Sequence, residues 1–358
     1  MSAVIDEVTG VPAHYGSPFA EQRQLRAGHA YTDLGHLDVL TVSGADRLTW
    51  LTNLSTRDFS KLNAGEASEM LILDPNGHIQ EAASVQLTED EVWLITDAGR
   101  GESLAAFLNS MRFMLRVEVT ERTDVTVFGT GMPASALPAD VTEKALLVWE
   151  DPWPRTAVGG ADYGISDASH PAADSHRTLV VVPASDGDEV RSAFRQAGLS
   201  PAGLLAWEAN RVVDRRPRIG AEGIIDRVLP HELDWLRTAI HLNKGCYRGQ
   251  ETVAKIVNLG RPPRRLTYLY LEGPQTDLPE PGTEVVSERG RKVGVLTSVV
   301  RDVDEGPVAL ALLKRSTPVD ELLSVGAYTA SQEVIVSPEG KSSVSPASRP
   351  GAEFRGRK

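Results

Sequence analysis

A single cysteine, Cys246, is the first scarcity in this 358-residue chain. One thiol rules out an internal disulfide, and it rules out a self-contained iron–sulfur site, which normally takes about four thiolates. No run of roughly 18 apolar residues occurs, so no membrane-spanning helix is expected. The opening MSAVIDEVTG carries acidic residues and no apolar h-region, and the expected location is therefore the cytoplasm. Positive charge is in deficit, 37 Lys and Arg against 49 Asp and Glu, for a net charge of −12. That argues against direct binding of nucleic acid, although a local basic patch can still hold an anion. Cys-x-x-Cys, His-Glu-x-x-His and Gly-rich phosphate loops are all absent, so neither a resident metal nor a nucleotide is implied.

What is present is an ordinary globular composition, 41% hydrophobic and 24% charged, in a chain too long for one typical core. A strand at 38–42 leads through Ser43-Gly44-Ala45-Asp46 into a helix carrying Leu48, Leu51 and Leu54. Met70 to Leu73, the turn Asp74-Pro75-Asn76-Gly77 and Ile79 to Leu87 read as a β-hairpin, with a further strand at 92–96. Apolar spacing predicts helices at 100–111, 186–197 and 201–215, and strands near 117–119, 125–127 and 179–182. The stretch 133–176 reads as an irregular connection anchored by Trp149 and Trp153. Past Arg265, strands at 266–271, 283–287, 293–300 and 308–313 predict a small antiparallel barrel or sandwich. The expected fold class is α+β. The expected division is an extension over 1–16, a body over 17–265, a C-terminal barrel over 266–336, and a disordered tail over 337–358 rich in Ser, Pro, Gly and charge.

The most informative run is Lys244-Gly245-Cys246-Tyr247-Arg248-Gly249-Gln250-Glu251-Thr252. Two glycines bracket a cysteine and a tyrosine, and Lys244 and Arg248 would favour a thiolate at Cys246. A lone cysteine can equally pack as a small hydrophobe. Tyr247 and Gln250 can stack on and hydrogen-bond a flat heterocycle, or simply pack the loop.

KGCYRGQE resembles the signature of the YgfZ family, relatives of the glycine-cleavage T-protein that include mitochondrial iron–sulfur assembly factors. The segment SGADRLTWLTNLSTRDFSKLNAGEASEMLILDPNGHI resembles the amino-terminal folate-binding part of T-protein relatives. Pro230-His231-Glu232, VGVLTS and ALALLKR also match, so the resemblance covers about residues 17 to 336. It implies a folate-binding body with a central hole, a small barrel beside it, and tetrahydrofolate as ligand. It also implies Cys246 and Lys244 as reactive residues and Tyr247, Arg248, Gln250, Glu251, Asn53, Glu81, Glu208 and Arg211 as ligand-binding ones. Asn53 and Asp58 lie in the implied folate wall and can equally cap turns. Pro230 and Glu232 would brace the motif loop.

Two departures from aminomethyltransferases stand out. T-proteins place an aspartate after a Gly-Gly-Ile turn, and here Gly77-His78-Ile79-Gln80-Glu81 supplies Glu81, one methylene longer than catalytic alignment usually tolerates. T-proteins also anchor the pterin with a glutamate two residues after an arginine. Val213 stands at that place, leaving Glu208 one turn earlier as a substitute or as a solvated helix carboxylate. Arg211, Arg215, Arg216, Arg218, Arg261, Arg264 and Arg265 would neutralise a folate glutamate tail or form a solvated basic face.

Three functions follow as expectations. The first is a tetrahydrofolate-binding factor supporting assembly or repair of iron–sulfur enzymes, with assembly proteins or client enzymes as partners and Cys246 as a transient thiolate. The second is a folate-dependent aminomethyl or methyl transferase, or a demethylase, using Glu81 as base. The third is a folate-binding platform without chemistry.

Overall fold

The computed structural model describes residues 3–222, 227–274 and 277–346. The ribbon β1 (Val4–Ile5) and β2 (Pro12–His14) leads to α1 (Pro18–Arg26), after which β3 (Ala30–Asp33) and β4 (Asp38–Ser43) enter two different sheets. Next come α2 (Arg47–Leu54), β5 (Ala67–Leu73), β6 (Ile79–Leu87), β7 (Glu91–Thr96), α3 (Gly101–Ser110) and β8 (Glu118–Glu121). These strands build an antiparallel sheet of order β5-β6-β7-β4-β8. The predicted hairpin turn forms because Asp74 Oδ1 accepts the backbone N–H groups of Asn76 and His78 at 2.8 and 2.9 Å, an Asx arrangement native to such turns.

The second sheet, β10-β11-β9-β3-β12, joins β9 (Val125–Thr130), β10 (Leu147–Glu150), β11 (Thr178–Pro183) and β12 (Ser200–Ala202) to β3. Only β12 runs parallel to its neighbour, β3. Around it lie α4 (Ala139–Thr142), α5 (Gly187–Gln196) and α6 (Leu204–Val213), followed by α7 (Ile219–Glu222), α8 (Leu236–Ala239) and α9 (Gln250–Asn258). β13 (Arg264–Glu272), β14 (Glu284–Ser287), β15 (Lys292–Asp302), β16 (Gly306–Lys314), β17 (Leu323–Val325) and β18 (Tyr328–Val334) close a six-stranded barrel.

Alternation along the strands decides where the layers meet. On β7, Val92 and Leu94 pack under α2 and α3 with Leu40, Leu51 and Leu104, whereas Trp93 and Ile95 face the second sheet with Trp149, Leu179 and Trp207. The two sheets thus pack face to face and carry helices on their outer sides. Residues 337–346, the start of the expected disordered tail, are instead pinned to the body. Val336 bridges Gly164, and the N–H groups of Ser337 and Ser343 donate to the carbonyls of Tyr163 and Asp162. The remainder of that expected tail, 347–358, lies outside the described residues.

Candidate functional site

A cavity of about 110 Å³ opens where the two sheets meet α6. Helix α6 buries Ala206, Trp207, Ala209 and Val212, and this turns Glu208 and Arg211, three residues apart and therefore on one face, to the cavity wall. Arg211, 2% exposed, donates from Nε to Glu208 at 2.9 Å, from Nη1 to the Arg216 carbonyl at 2.8 Å and from Nη2 to Ser298 Oγ of the barrel at 2.7 Å. Arg218 reaches Glu208 and Asp97, each at 3.2 Å. Burial alone would push the Glu208 carboxyl up, but the cations of Arg211, Arg218 and Arg177 overcome it and hold Glu208 well below the usual carboxylate range. Arg177 lies 3.6 Å over the Trp207 ring; burial lowers it to about 10, so it remains cationic at neutral pH. Deeper in, Arg216 is clamped between Asp151 at 2.8 Å and Glu69. A second, larger space of about 500 Å³ between α1, α6 and the barrel shares Glu208, Arg211 and Arg218 with the cavity.

The motif run builds a loop that lines neither space. Gly249, at φ 83°, starts α9. Lys244 is buried and donates to the carbonyls of Thr52 and Ser55 at the end of α2, while its ammonium sits 4.5 Å over the Tyr247 ring. Burial pulls Lys244 down to about 8, against the pull of Asp58. Tyr247 is buried, and burial raises its phenol. Cys246, Arg248 and Glu251 are exposed, and Gln250 is half-buried with its amide 3.5 Å from the Lys244 carbonyl.

Of the residues expected to bind the ligand, Glu208 and Arg211 line the cavity, whereas the residues of the motif do not. Glu81 is buried against α3, accepting from Ser103 Oγ at 2.9 Å and paired with Arg100 Nε at 3.1 Å. Its burial raises its carboxyl despite both partners. Asn53 is exposed on α2, and Asp58 caps the turn Phe59–Lys61 through Ser60. Glu232 braces the barrel rather than the motif loop, binding the Arg264 guanidinium at 2.8 Å. Neighbouring His231 meets the Val253 carbonyl of α9 at 3.2 Å. Arg261 is exposed, but the other six arginines of the basic cluster form neither a solvated face nor a set of open anion sites. Arg215 pairs with Glu333, Arg265 binds Thr267 and Gln332, and Arg211, Arg216, Arg218 and Arg264 hold the partners given above. Sequence reasoning missed His36, Asp97, Arg177 and Trp207, all on the cavity wall; they come from distant segments and carry no local motif. Among the described residues no group of three or more His, Cys, Asp or Glu is placed to hold a metal, and no helix is long and apolar enough to cross a membrane.

Residues 11–136, which run from β2 to just past β9 and so supply one whole sheet and part of the other, match the GCVT N-terminal domain. Over that span the chain is similar to this domain. Over 280 residues, 76% of the chain, it is 28% identical to the Arabidopsis thaliana "Putative transferase At1g60990, chloroplastic" and spans 62% of that protein's length. It is 26% identical to an aminomethyltransferase of Herpetosiphon aurantiacus, covering 85% of this chain and 84% of the relative. Among solved structures, the glycine cleavage system aminomethyltransferase T of Bartonella henselae superposes with a TM-score of 0.70 at 18% identity, over 95% of each chain. The T-protein-like fold therefore extends beyond residues 11–136 and through the barrel.

Proposed function

We propose that this chain binds tetrahydrofolate in the cavity between its sheets and supports the assembly or repair of iron–sulfur enzymes through Cys246. The observation that carries this reading is the opposite placement of two groups. Cys246 is exposed on a loop whose lysine is anchored, while Glu81, the carboxylate that would act as base in aminomethyl transfer, is tied to Ser103 and Arg100. An accessible thiol can meet a partner, and a single one cannot retain a cluster. The cavity fits the ligand's chemistry: Glu208 is an ionised acceptor for the N–H groups of a pterin, and the adjoining space lined by Phe19, Leu205 and Val299 suits the apolar middle of the molecule. The assignment to the YgfZ branch rests on KGCYRGQE, and the expected setting is the cytoplasm with assembly proteins or client enzymes as partners.

The test is tetrahydrofolate binding by wild type, Lys244→Ala and Cys246→Ala, followed by rescue of iron–sulfur enzyme activity in cells lacking the protein. Binding by all three with failed rescue by Cys246→Ala supports the reading; full rescue by that variant sinks the thiol's role. The names of the relatives favour a second reading, a folate-dependent transferase. It requires turnover of an aminomethyl or methyl donor that collapses in Glu81→Gln and survives Cys246→Ala.

A further inference from the structure

His36 lies in the turn between β3 and β4, where the chain passes from one sheet to the other and forms part of the cavity wall. The turn is fixed. Leu34 donates its N–H to the Val127 carbonyl at 2.9 Å, Asp33 Oδ1 accepts the Gly35 N–H at 3.1 Å, and Leu37 closes back on Leu34 at 3.0 Å. A side chain at Gly35 would meet Thr126 Oγ1 at 2.9 Å, so the imidazole is carried by a backbone with little freedom to move.

Its Nδ1 is buried and has no hydrogen-bond partner among the described residues. The neighbouring charges do not supply one. Glu208 is held by Arg211 and Arg218, Asp97 by Arg218 and the Gly220 N–H, and Asp33 by Arg191. Burial, reinforced by the Arg218 cation, lowers the His36 pKa against the pull of Glu208, Asp97 and Asp33, and a neutral imidazole offers one donor and one acceptor nitrogen. A buried polar atom left unpaired costs stability, and orphaned groups of this kind call for an explanation.

We infer that His36 is a ligand-contacting residue whose Nδ1 hydrogen-bonds a ring nitrogen or amide of the reduced pterin, beside the Glu208 carboxylate. This rests on the folate reading of the cavity and adds a contact that the KGCYRGQE resemblance does not supply. His36→Leu removes the hydrogen bond, while His36→Asn restores a short donor and acceptor.

The experiment measures the dissociation constant for tetrahydrofolate, together with the urea midpoint of the ligand-free protein, in wild type, His36→Leu and His36→Asn. The expected result is a weakening of about 5- to 30-fold in His36→Leu, substantial recovery in His36→Asn, and unchanged urea midpoints. Equal affinity in wild type and His36→Leu overturns the contact and leaves the folate reading standing. Equal loss in both variants, or loss that tracks a fallen urea midpoint, assigns His36 a packing role and also overturns it. Wild type that fails to bind tetrahydrofolate removes both.

Discussion

The backbone of Gly249 passes directly against Gly77. A Cβ at Gly249 would stand 3.0 Å from the Gly77 Cα and 2.6 Å from the Asp74 carbonyl oxygen, and both glycines have positive φ, 83° and 84°. The signature loop is thereby interlocked with the turn of the β5–β6 hairpin, which also carries the segment leading to Glu81.

Gly249→Ala is expected to destabilise the protein by about 2–4 kcal/mol, since it adds left-handed strain to a backbone collision. Gly245→Ala, where nothing lies within 4 Å of the added atom, should stay within about 0.5 kcal/mol of wild type. Urea unfolding of the two variants checks the contrast.

Lys244 has a folded-state pKa of about 8 against 10.5 for the free side chain. The unfolded chain therefore holds more protons between those values, and the stability of wild type should rise with pH across that window. Below about pH 8 the cost of burying the cation is present in full. Subtracting the pH profile of Lys244→Met from that of wild type should isolate the rise, and a flat difference from pH 7 to 11 would refute it.

Cys246→Ser replaces an exposed side chain and should change stability by less than about 0.5 kcal/mol. In the native wild type, a thiol reagent should label Cys246 without denaturant. The variant should fold and bind tetrahydrofolate normally yet fail to restore iron–sulfur enzyme activity.

Glu208→Gln leaves the buried guanidinium of Arg211 without its carboxylate, at a cost of about 3 kcal/mol. Because the folded-state pKa of Glu208 lies below its unfolded value of 4.5, its contribution is complete above about pH 5 and is lost as the pH falls through the depressed folded value. The gap between wild type and variant in urea midpoint should thus shrink on acidification. Tetrahydrofolate affinity should fall in parallel at neutral pH.

Local chemistry made much of this fold legible in the sequence. Asp74 to Gly77 specify a turn within four residues, and the alternation of Val92, Trp93, Leu94 and Ile95 specifies a two-faced strand. The α6 pattern likewise announced a helix, although its start was drawn three residues early because Ser200–Ala202 pairs with β3 instead. Helix α9 was not anticipated, since the motif reads as a loop until Gly249 turns it. The cavity was legible in Glu208, Arg211, Arg216 and Arg218, which all line it. The Arg177–Trp207 stack and the Asp97–Arg218 pair join residues 30 and 121 positions apart, a separation over which no periodicity carries information. The burial of the arginine cluster escaped for the same reason, because each partner arrives from another element.

Arg211 is held at the cavity wall partly by Ser298, a residue 87 positions later in the chain. At about 5–20 residues per second, a ribosome needs roughly 4 to 17 s to add that distance. During this interval a newborn chain has both sheets and α6 but lacks one of the acceptors that hold the guanidinium. The pocket ripens last, when the barrel arrives, so a truncated product ending before β15 would own every cavity carboxylate and still lack the barrel's hydrogen bond to Arg211.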